Sequence, residues 1–432
     1  MKTFGTMKIL NNELMIGGVS VSALKAQYQT PLYVYDQEAI ERKIATFKDH
    51  FKHEGIKTQI AYASKAFLCI AMAQMIQKEG LSIDVASGGE LYTVYKAGFD
   101  MTKVIFHGNN KQDEELQQAI DWGCGLIVID NRHEMKRLDQ MLKRNQSSMN
   151  VLLRINPGID ASTHEYIKTT THDSKFGESI YDEAIYDMIH FMNESESLNL
   201  KGFHTHIGSQ IFDATSFFKA SDVVLDFYKD VEERFNIQLE KINLGGGFGV
   251  YYTEGDEPFA LQTFLKAYID HVVEGKKKRH LHFDEVIIEP GRSLVCNAGS
   301  TLYTVGDTKS TFGKKDYIYI DGGMSDNPRP ALYQAQYEAA LANRMNDDVT
   351  FEQCVAGKLC ESGDVIIQSI KLPQAHKGDL LIVPSTGAYT FSMSSNYNRM
   401  LRPAVVFVKD GKHQCVVKRQ TLDDLIQGDL TL

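Results

Sequence analysis

The chain has 432 residues, 43% hydrophobic and 24% charged, and its 46 basic against 56 acidic side chains give a formal net charge of −10. This composition suits a soluble globular protein of two domains and excludes a disordered chain, a collagen-like repeat or a disulfide scaffold. An acidic balance argues against nucleic acid and anionic membrane as main partners.

In chain order, the amino terminus lacks the apolar segment of a signal peptide, and no run of about 18 apolar residues follows to span a bilayer. Six cysteines at 69, 124, 296, 354, 360 and 415 form no C-x-x-C pair and no metal-ligand spacing. We therefore expect reduced thiols in a cytoplasmic protein, with no metal site. Residues 1–35, with turns at Asn11-Asn12 and Gly17-Gly18, read as strands that join a later β domain.

Eight short apolar runs follow, at 59–63, 82–85, 104–106, 126–129, 151–155, 202–207, 242–244 and 286–288. They are rich in β-branched residues, as strands buried on both faces are. Between them, 67–79, 113–122, 132–144, 181–192 and 216–235 carry apolar residues at helical spacing. The alternation predicts a (β/α)8 barrel over 36–295, with a doubly wound open sheet as the alternative. Lys65, Asp84, His107, Asp130, Asn156, His206, the glycines from Gly245 and Glu289 all stand at or just after the carboxyl end of a run. A barrel gathers those ends around one mouth, which favours it. The run Lys276-Lys277-Lys278-Arg279 reads as a solvated surface loop.

Over 296–432 the texture changes. Runs at 317–320, 365–367, 380–383 and 404–408 are separated by turn-rich pieces, and Asp410-Gly411 is a hairpin signal before 414–417. This reads as a second, mostly β domain.

The chemistry-bearing residues narrow the reading. Gly245-Gly246-Gly247-Phe248-Gly249 and Glu289-Pro290-Gly291-Arg292 follow the last two runs, where barrels recurrently bind phosphate. Backbone N–H groups of glycine loops approach oxyanions closely, and an arginine fork suits phosphate. A glycine turn packed on a helix is the plainer alternative. Lys65, flanked by small apolar groups, suits imine formation with a carbonyl, or is a surface lysine. Lysine, phosphate cradle and an acid such as Glu289 together form the set that holds pyridoxal phosphate. His206 either covers the ring or is a hydrogen-bonded core histidine.

With these blocks in order, the chain resembles the fold-type III pyridoxal-phosphate decarboxylases, and within them the diaminopimelate decarboxylases. The resemblance runs from Thr30-Pro31-Leu32-Tyr33-Val34-Tyr35-Asp36 through Tyr62-Ala63-Ser64-Lys65-Ala66, the segment Asp84 to Leu91, His107-Gly108-Asn109-Asn110-Lys111 and His206-Ile207-Gly208-Ser209-Gln210. It continues through both glycine segments, Arg329-Pro330-Ala331-Leu332-Tyr333, Cys360-Glu361-Ser362-Gly363-Asp364 and Gly387-Ala388-Tyr389.

The resemblance implies an alanine-racemase-like fold and pyridoxal 5′-phosphate as cofactor. It implies that Lys65 holds the cofactor as an imine, that His206 stacks on the ring, and that Glu289 partners the pyridine nitrogen. Ser209, Gly245, Gly246, Gly247, Gly291 and Tyr389 match phosphate-holding positions, with Pro290 in the same turn. Asp84 resembles the acid that supports the lysine and cofactor region. Arg292, Arg329, Tyr333, Glu361 and Tyr389 match substrate contacts, and Cys360 the proton donor; Arg292 serves either phosphate or substrate carboxylate. A homodimer is implied, with Cys360 and Glu361 supplied by the opposite chain.

The implied reaction takes meso-2,6-diaminopimelate to L-lysine and CO2, the last step of lysine biosynthesis. Each end of that substrate is an ammonium with a carboxylate. One end forms the imine, so the other needs an arginine and a glutamate as complements; Arg329 and Glu361 supply them, the alternative being that either forms a structural salt bridge. The alternatives are a decarboxylase for ornithine, arginine or carboxynorspermidine, a non-catalytic binding homologue, and a cofactor-free Schiff-base aldolase. A racemase is disfavoured, because it would pair the ring nitrogen with a cation.

Overall fold

The structure is a computed structural model and describes residues 1–159 and 174–432. It divides into two compact units. One comprises Ile44–Gly249 and Glu257–Gly291, the other Met1–Lys43, Val250–Asp256 and Arg292–Leu432.

In the first unit all eight apolar runs are strands: Lys57–Ala63, Ser82–Val85, Val104–Phe106, Leu126–Ile129, Met149–Asn156, Leu198–His204, Lys241–Asn243 and Glu285–Ile288. Each pairs in parallel with the next in chain order. The eighth pairs with the first, Ile288 opposite Ile60, and closes the barrel. Closure leaves no edge, so the open sheet is ruled out. The sixth run was read to residue 207, but its strand ends at His204.

Strand alternation explains what the barrel presents. Ala61, Ile105, Val128, Leu152 and Ile287 form one buried cluster with Leu126. Two residues further along the same faces stand Ala63, His107, Asp130, Arg154 and Glu289. A period of two keeps each pair on one side of its strand, so an apolar layer underlies a polar one.

The covering helices follow their apolar spacing. Arg132–Arg144 starts where the Asn131 side chain accepts from the Glu134 N–H, and it buries Met135, Leu138 and Leu142. The Lys276 to Arg279 run corrects the loop expected for it: these residues are the last turn of the helix Leu261–Arg279. Phe264, Leu265, Tyr268, Ile269, Val272 and Val273 carry the buried stripe up to that run. Four cations then face the negative end of the helix dipole, and Arg279 pairs with Asp222 and Asp226.

In the second unit the 12-residue strand Gly299–Ser310 is the spine. Its first half lies between Leu32–Asp36 and Leu380–Pro384, and its second half pairs with Asp316–Ile320. Phe351–Ala356 and Val365–Leu372 extend one side of the sheet. Ala404–Lys409 and Lys412–Val417 form the hairpin expected at Asp410-Gly411, whose φ angles of 51° and 73° suit a two-residue turn. The N-terminal strands Lys8–Leu10, Glu13–Ile16 and Val19–Ser20 make a separate three-stranded sheet rather than extending the large one. Leu14 and Ile16 share a core with Leu32, Val34, Leu302, Ile382 and Val406, and only Leu32–Asp36 enters the large sheet. The segment Val250–Asp256, read from sequence as barrel, groups with this unit because Asn297 Nδ2 and Ser385 Oγ both donate to the Tyr251 carbonyl. Among the described residues no helix is long and apolar enough to cross a membrane.

Candidate active site

Glu289, just past the eighth barrel strand, is the centre of the barrel's polar layer. Its Oε1 accepts from His107 Nε2 (2.8 Å) and Asn243 Nδ2 (2.6 Å), and its Oε2 from His204 Nε2 (3.0 Å). Burial pushes the carboxyl up, but the two histidines beside it hold it well below the usual carboxylate range. Burial in turn lowers His107, and brings His204 down to about 3. His204 Nδ1 is buried without a partner, so the one proton of the neutral ring sits on Nε2 and points at Glu289. Two neutral imidazoles and an amide therefore solvate one buried carboxylate.

This arrangement has a consequence for stability. The unfolded chain protonates His204 near its ordinary 6.5, whereas the folded chain refuses that proton until about 3. The folded state binds fewer protons in that window, so stability falls as pH drops through it, by about 1.4 kcal/mol per pH unit for this one group. His204→Asn keeps an N–H donor but takes up no proton. Denaturant titrations between pH 6 and 4 should show a shallower acid loss for that variant than for wild type.

Asp84 ends the second barrel strand and is buried. Burial and then the Glu289 charge raise it well above the ordinary range, while the Lys65 ammonium and the Ser64 N–H pull it back. Of the two acids, Asp84 is the one that takes a proton first, since Glu289 has three donors. Lys65 lies in the single turn Ser64–Ala66 that follows the first strand; Ser64 and Ala66 are buried and Lys65 is exposed.

His206 lies two residues past its strand and is half-buried, with Nδ1 accepting from the Gly246 N–H at 3.2 Å. Burial and the Lys65 charge lower its basicity well below the usual value. The glycines let three loops meet at backbone distance. A Cβ on Gly245 would stand 2.4 Å from the Thr205 carbonyl oxygen, on Gly246 2.2 Å from that of Glu289, and on Gly247 2.6 Å from that of Gly208. Gly245 and Gly247 also need φ of 66° and 113°. The Glu289 N–H donates to Gly245 and the Ile211 N–H to Gly247, and the Pro290 carbonyl accepts from Ala63. Ser209 lies in the first of these loops. Among the described residues the N–H groups of Gly247 and buried Gly291 have no protein acceptor. Unpaired N–H groups beside a lysine and a fixed carboxylate fit a phosphorylated pyridine aldehyde.

The remaining candidates lie in the second unit. Arg292 donates from Nη1 to the Tyr252 hydroxyl, and its guanidinium carbon is 4.6 Å from the Tyr389 ring centre. Tyr389, half-buried, adopts φ of 59°, a conformation tyrosine seldom takes. Arg329 is buried and donates from Nε to the Tyr337 hydroxyl at 2.9 Å, with its guanidinium 5.3 Å from Tyr252 and 5.6 Å from Tyr333. Among the described residues Arg329 has no acidic partner, and its hydrogen bond is to a neutral phenol. Cys360 and Glu361 are exposed. The Cys360 N–H donates to Asn398, while Glu361 accepts from the Gly363 N–H and the Tyr397 hydroxyl.

Two candidates fall outside the Glu289 cluster. Asp130 accepts from the Gly177 N–H and Asn156 from the Gly158 N–H. Sequence reasoning missed His204, Asn243, Arg154, Tyr252 and Tyr337 as site residues. His204 was findable, since it precedes His206 by two residues at the end of the sixth strand. His107, His204 and Glu289 place ligand atoms within 4.8 Å of one another, but the hydrogen bonds put protons on both Nε2 atoms, which a metal would need bare.

Comparison with known proteins agrees with this geometry. Residues 37–296 match the family described as "Pyridoxal-dependent decarboxylase, pyridoxal binding domain". The diaminopimelate decarboxylase of Bacillus subtilis (strain 168) is 47% identical over 420 residues, covering 97% of this chain and 96% of the relative. That of Staphylococcus aureus (strain COL) is 44% identical over 420 residues, covering 97% and 98%. The crystal structure of diaminopimelate decarboxylase from M. jannaschii in complex with L-lysine superposes with a TM-score of 0.93 at 32% identity, covering 99% of this chain and 98% of the other. Full-length likeness at this level, together with the lysine, glycine loops and fixed carboxylate of the barrel, means that the chain belongs to the pyridoxal-dependent decarboxylases, within the diaminopimelate decarboxylase family.

Proposed function

We propose that the chain converts meso-2,6-diaminopimelate to L-lysine and CO2, with pyridoxal 5′-phosphate held by Lys65. The observation that carries this reading is Arg329, a buried guanidinium with tyrosines around it and, among the described residues, no acid to neutralise it. A diamine-forming decarboxylase for ornithine has no use for such a group; a substrate with a second amino-acid end does. The Bacillus subtilis relative's name and the L-lysine in the M. jannaschii structure support the same substrate.

When bound, the pyridoxal group supplies an electron sink for the pair left on carbon as the carboxylate departs. The chain supplies the rest. Lys65 anchors the cofactor through Nζ, and the N–H groups of Gly247 and Gly291 bind its phosphate. Glu289, kept ionised by His107, His204 and Asn243, keeps a proton on the pyridine nitrogen. His206 covers the ring face. Arg329 binds the distal carboxylate and Glu361 the distal ammonium. The Cys360 thiol delivers the proton to the carbon that lost CO2.

The deciding experiment incubates the holoenzyme with diaminopimelate, ornithine and arginine and follows lysine, putrescine and agmatine. Lysine from diaminopimelate is the expected product; its absence ends this reading. In Arg329→Lys, which loses the bidentate fork, kcat/KM for diaminopimelate should fall about 30-fold. If Cys360 and Glu361 act in the partner's site, mixing inactive Lys65→Ala and Cys360→Ala chains should restore about a quarter of wild-type activity, because half the dimers are mixed and each carries one intact site. No recovery on mixing would place both residues in one chain's own site.

A further inference from the structure

Arg329 has five N–H donors, and among the described residues one of them is used. Its Nε is tied to Tyr337 at 2.9 Å, and the described residues offer no acceptor to Nη1 or Nη2. These two nitrogens are not among the buried polar atoms lacking partners, so they reach open space although the residue is only 8% exposed. The guanidinium is thus pinned by its inner edge and presents its end-on fork outward. Tyr252 supports the same geometry from the side. Its ring lies 5.3 Å from the Arg329 guanidinium and 5.5 Å from the Tyr337 ring at 81°, while its hydroxyl accepts from Arg292. Both tyrosines are buried. Among the described residues no acid pairs with buried Arg329, whose hydrogen bond is to a phenol, and a phenol aims a cation without neutralising it. A carboxylate in Tyr337's place would fix Arg329 equally well but cancel the charge an incoming anion needs.

We infer that Tyr337 and Tyr252 are positioning residues that determine specificity: they hold Arg329 so that its Nη1/Nη2 edge is reserved for the distal carboxylate of an amino-acid substrate. This rests on the proposed decarboxylase reading and adds to it the source of the preference for an amino acid over an amine at the distal end. L-Lysine retains the distal carboxylate and cadaverine lacks it, so the affinity gap between the two reads the contribution of that edge directly.

The test uses the holoenzyme and its Tyr337→Phe and Tyr252→Phe variants, with equilibrium titrations of L-lysine and cadaverine beside turnover of diaminopimelate. In Tyr337→Phe, L-lysine affinity should fall about tenfold while cadaverine affinity stays within about twofold, since one hydrogen bond to a charged group is lost and the ring packing remains. KM for diaminopimelate should rise by a similar factor with kcat within about threefold. Tyr252→Phe should move the same quantities in the same direction. Equal weakening of both ligands, or a lowered melting temperature with both weakened together, assigns the tyrosines to packing and overturns the proposal; so does an unchanged lysine–cadaverine gap. If wild type forms no lysine from diaminopimelate, the decarboxylase reading fails, while the binding comparison, which needs no turnover, still decides what Tyr337 does.

Discussion

A Lys65→Ala variant is expected to fold normally, to lose the visible absorbance of a lysine-bound pyridoxal group, and to turn over diaminopimelate more than about 10³-fold more slowly. The fold should survive because the side chain is exposed and makes no hydrogen bond or ion pair with the rest of the described chain. Its surroundings are specific all the same. Buried Ser64 and Ala66 fix the turn at the end of the first strand, and the ammonium is close enough to Asp84, His107 and His206 to act on all three. Removing it also removes the charge that draws the Asp84 proton away, so Asp84 stays protonated to a higher pH in the variant. An absorbance spectrum, a phosphate assay after gel filtration and steady-state rates together make the measurement. A variant that keeps wild-type colour and turnover would remove Lys65 from the chemistry.

Most of this site was legible because barrel geometry converts a one-dimensional pattern into a place. Strands with a period of two, closed in chain order, send residues 84, 107, 206 and 289 to one end whatever the intervening helices do. Lys65, Asp84 and Glu289 carry charge that apolar surroundings make conspicuous. His204 and Asn243 escaped notice because they act while neutral: each supplies one N–H to Glu289, and a neutral donor leaves no charge pattern in a sequence. Tyr252 escaped for a different reason. It follows the Gly245 to Gly249 segment by three residues, inside what reads as barrel, yet it belongs with its packing partners Tyr337 and Arg292 to the sheet-rich unit. The Lys276 to Arg279 run was misread as loop because charge was weighed before the stripe from Phe264 to Val273 that carries the helix into it.

Glu289→Gln should lower kcat about 10²- to 10³-fold while the protein still binds pyridoxal phosphate. The amide is nearly isosteric, but its NH2 replaces an acceptor that now takes hydrogen bonds from His107 and Asn243, or from His204. The side chain can turn its NH2 toward His204, which has an unpartnered buried Nδ1 and can move its proton there, leaving Nε2 bare to accept. That relaxation keeps the cluster hydrogen-bonded and the fold intact, but it leaves no anion to hold a proton on the pyridine nitrogen, so the electron sink is weakened and the chemical step slows. Stability gives an independent sign. A carboxyl held well below its usual 4.5 stabilises the folded chain above that value, and the contribution disappears as pH falls through the lowered one. Glutamine has no such contribution, so the stability difference between wild type and variant should be largest near neutral pH and close as the solution is acidified below about pH 4.5. Denaturant titrations at pH 7 and pH 4 beside the kinetic comparison test both parts. A Glu289→Gln enzyme with kcat within about threefold of wild type, or with a stability difference that widens in acid, would show that the carboxylate is not the charge the reaction uses.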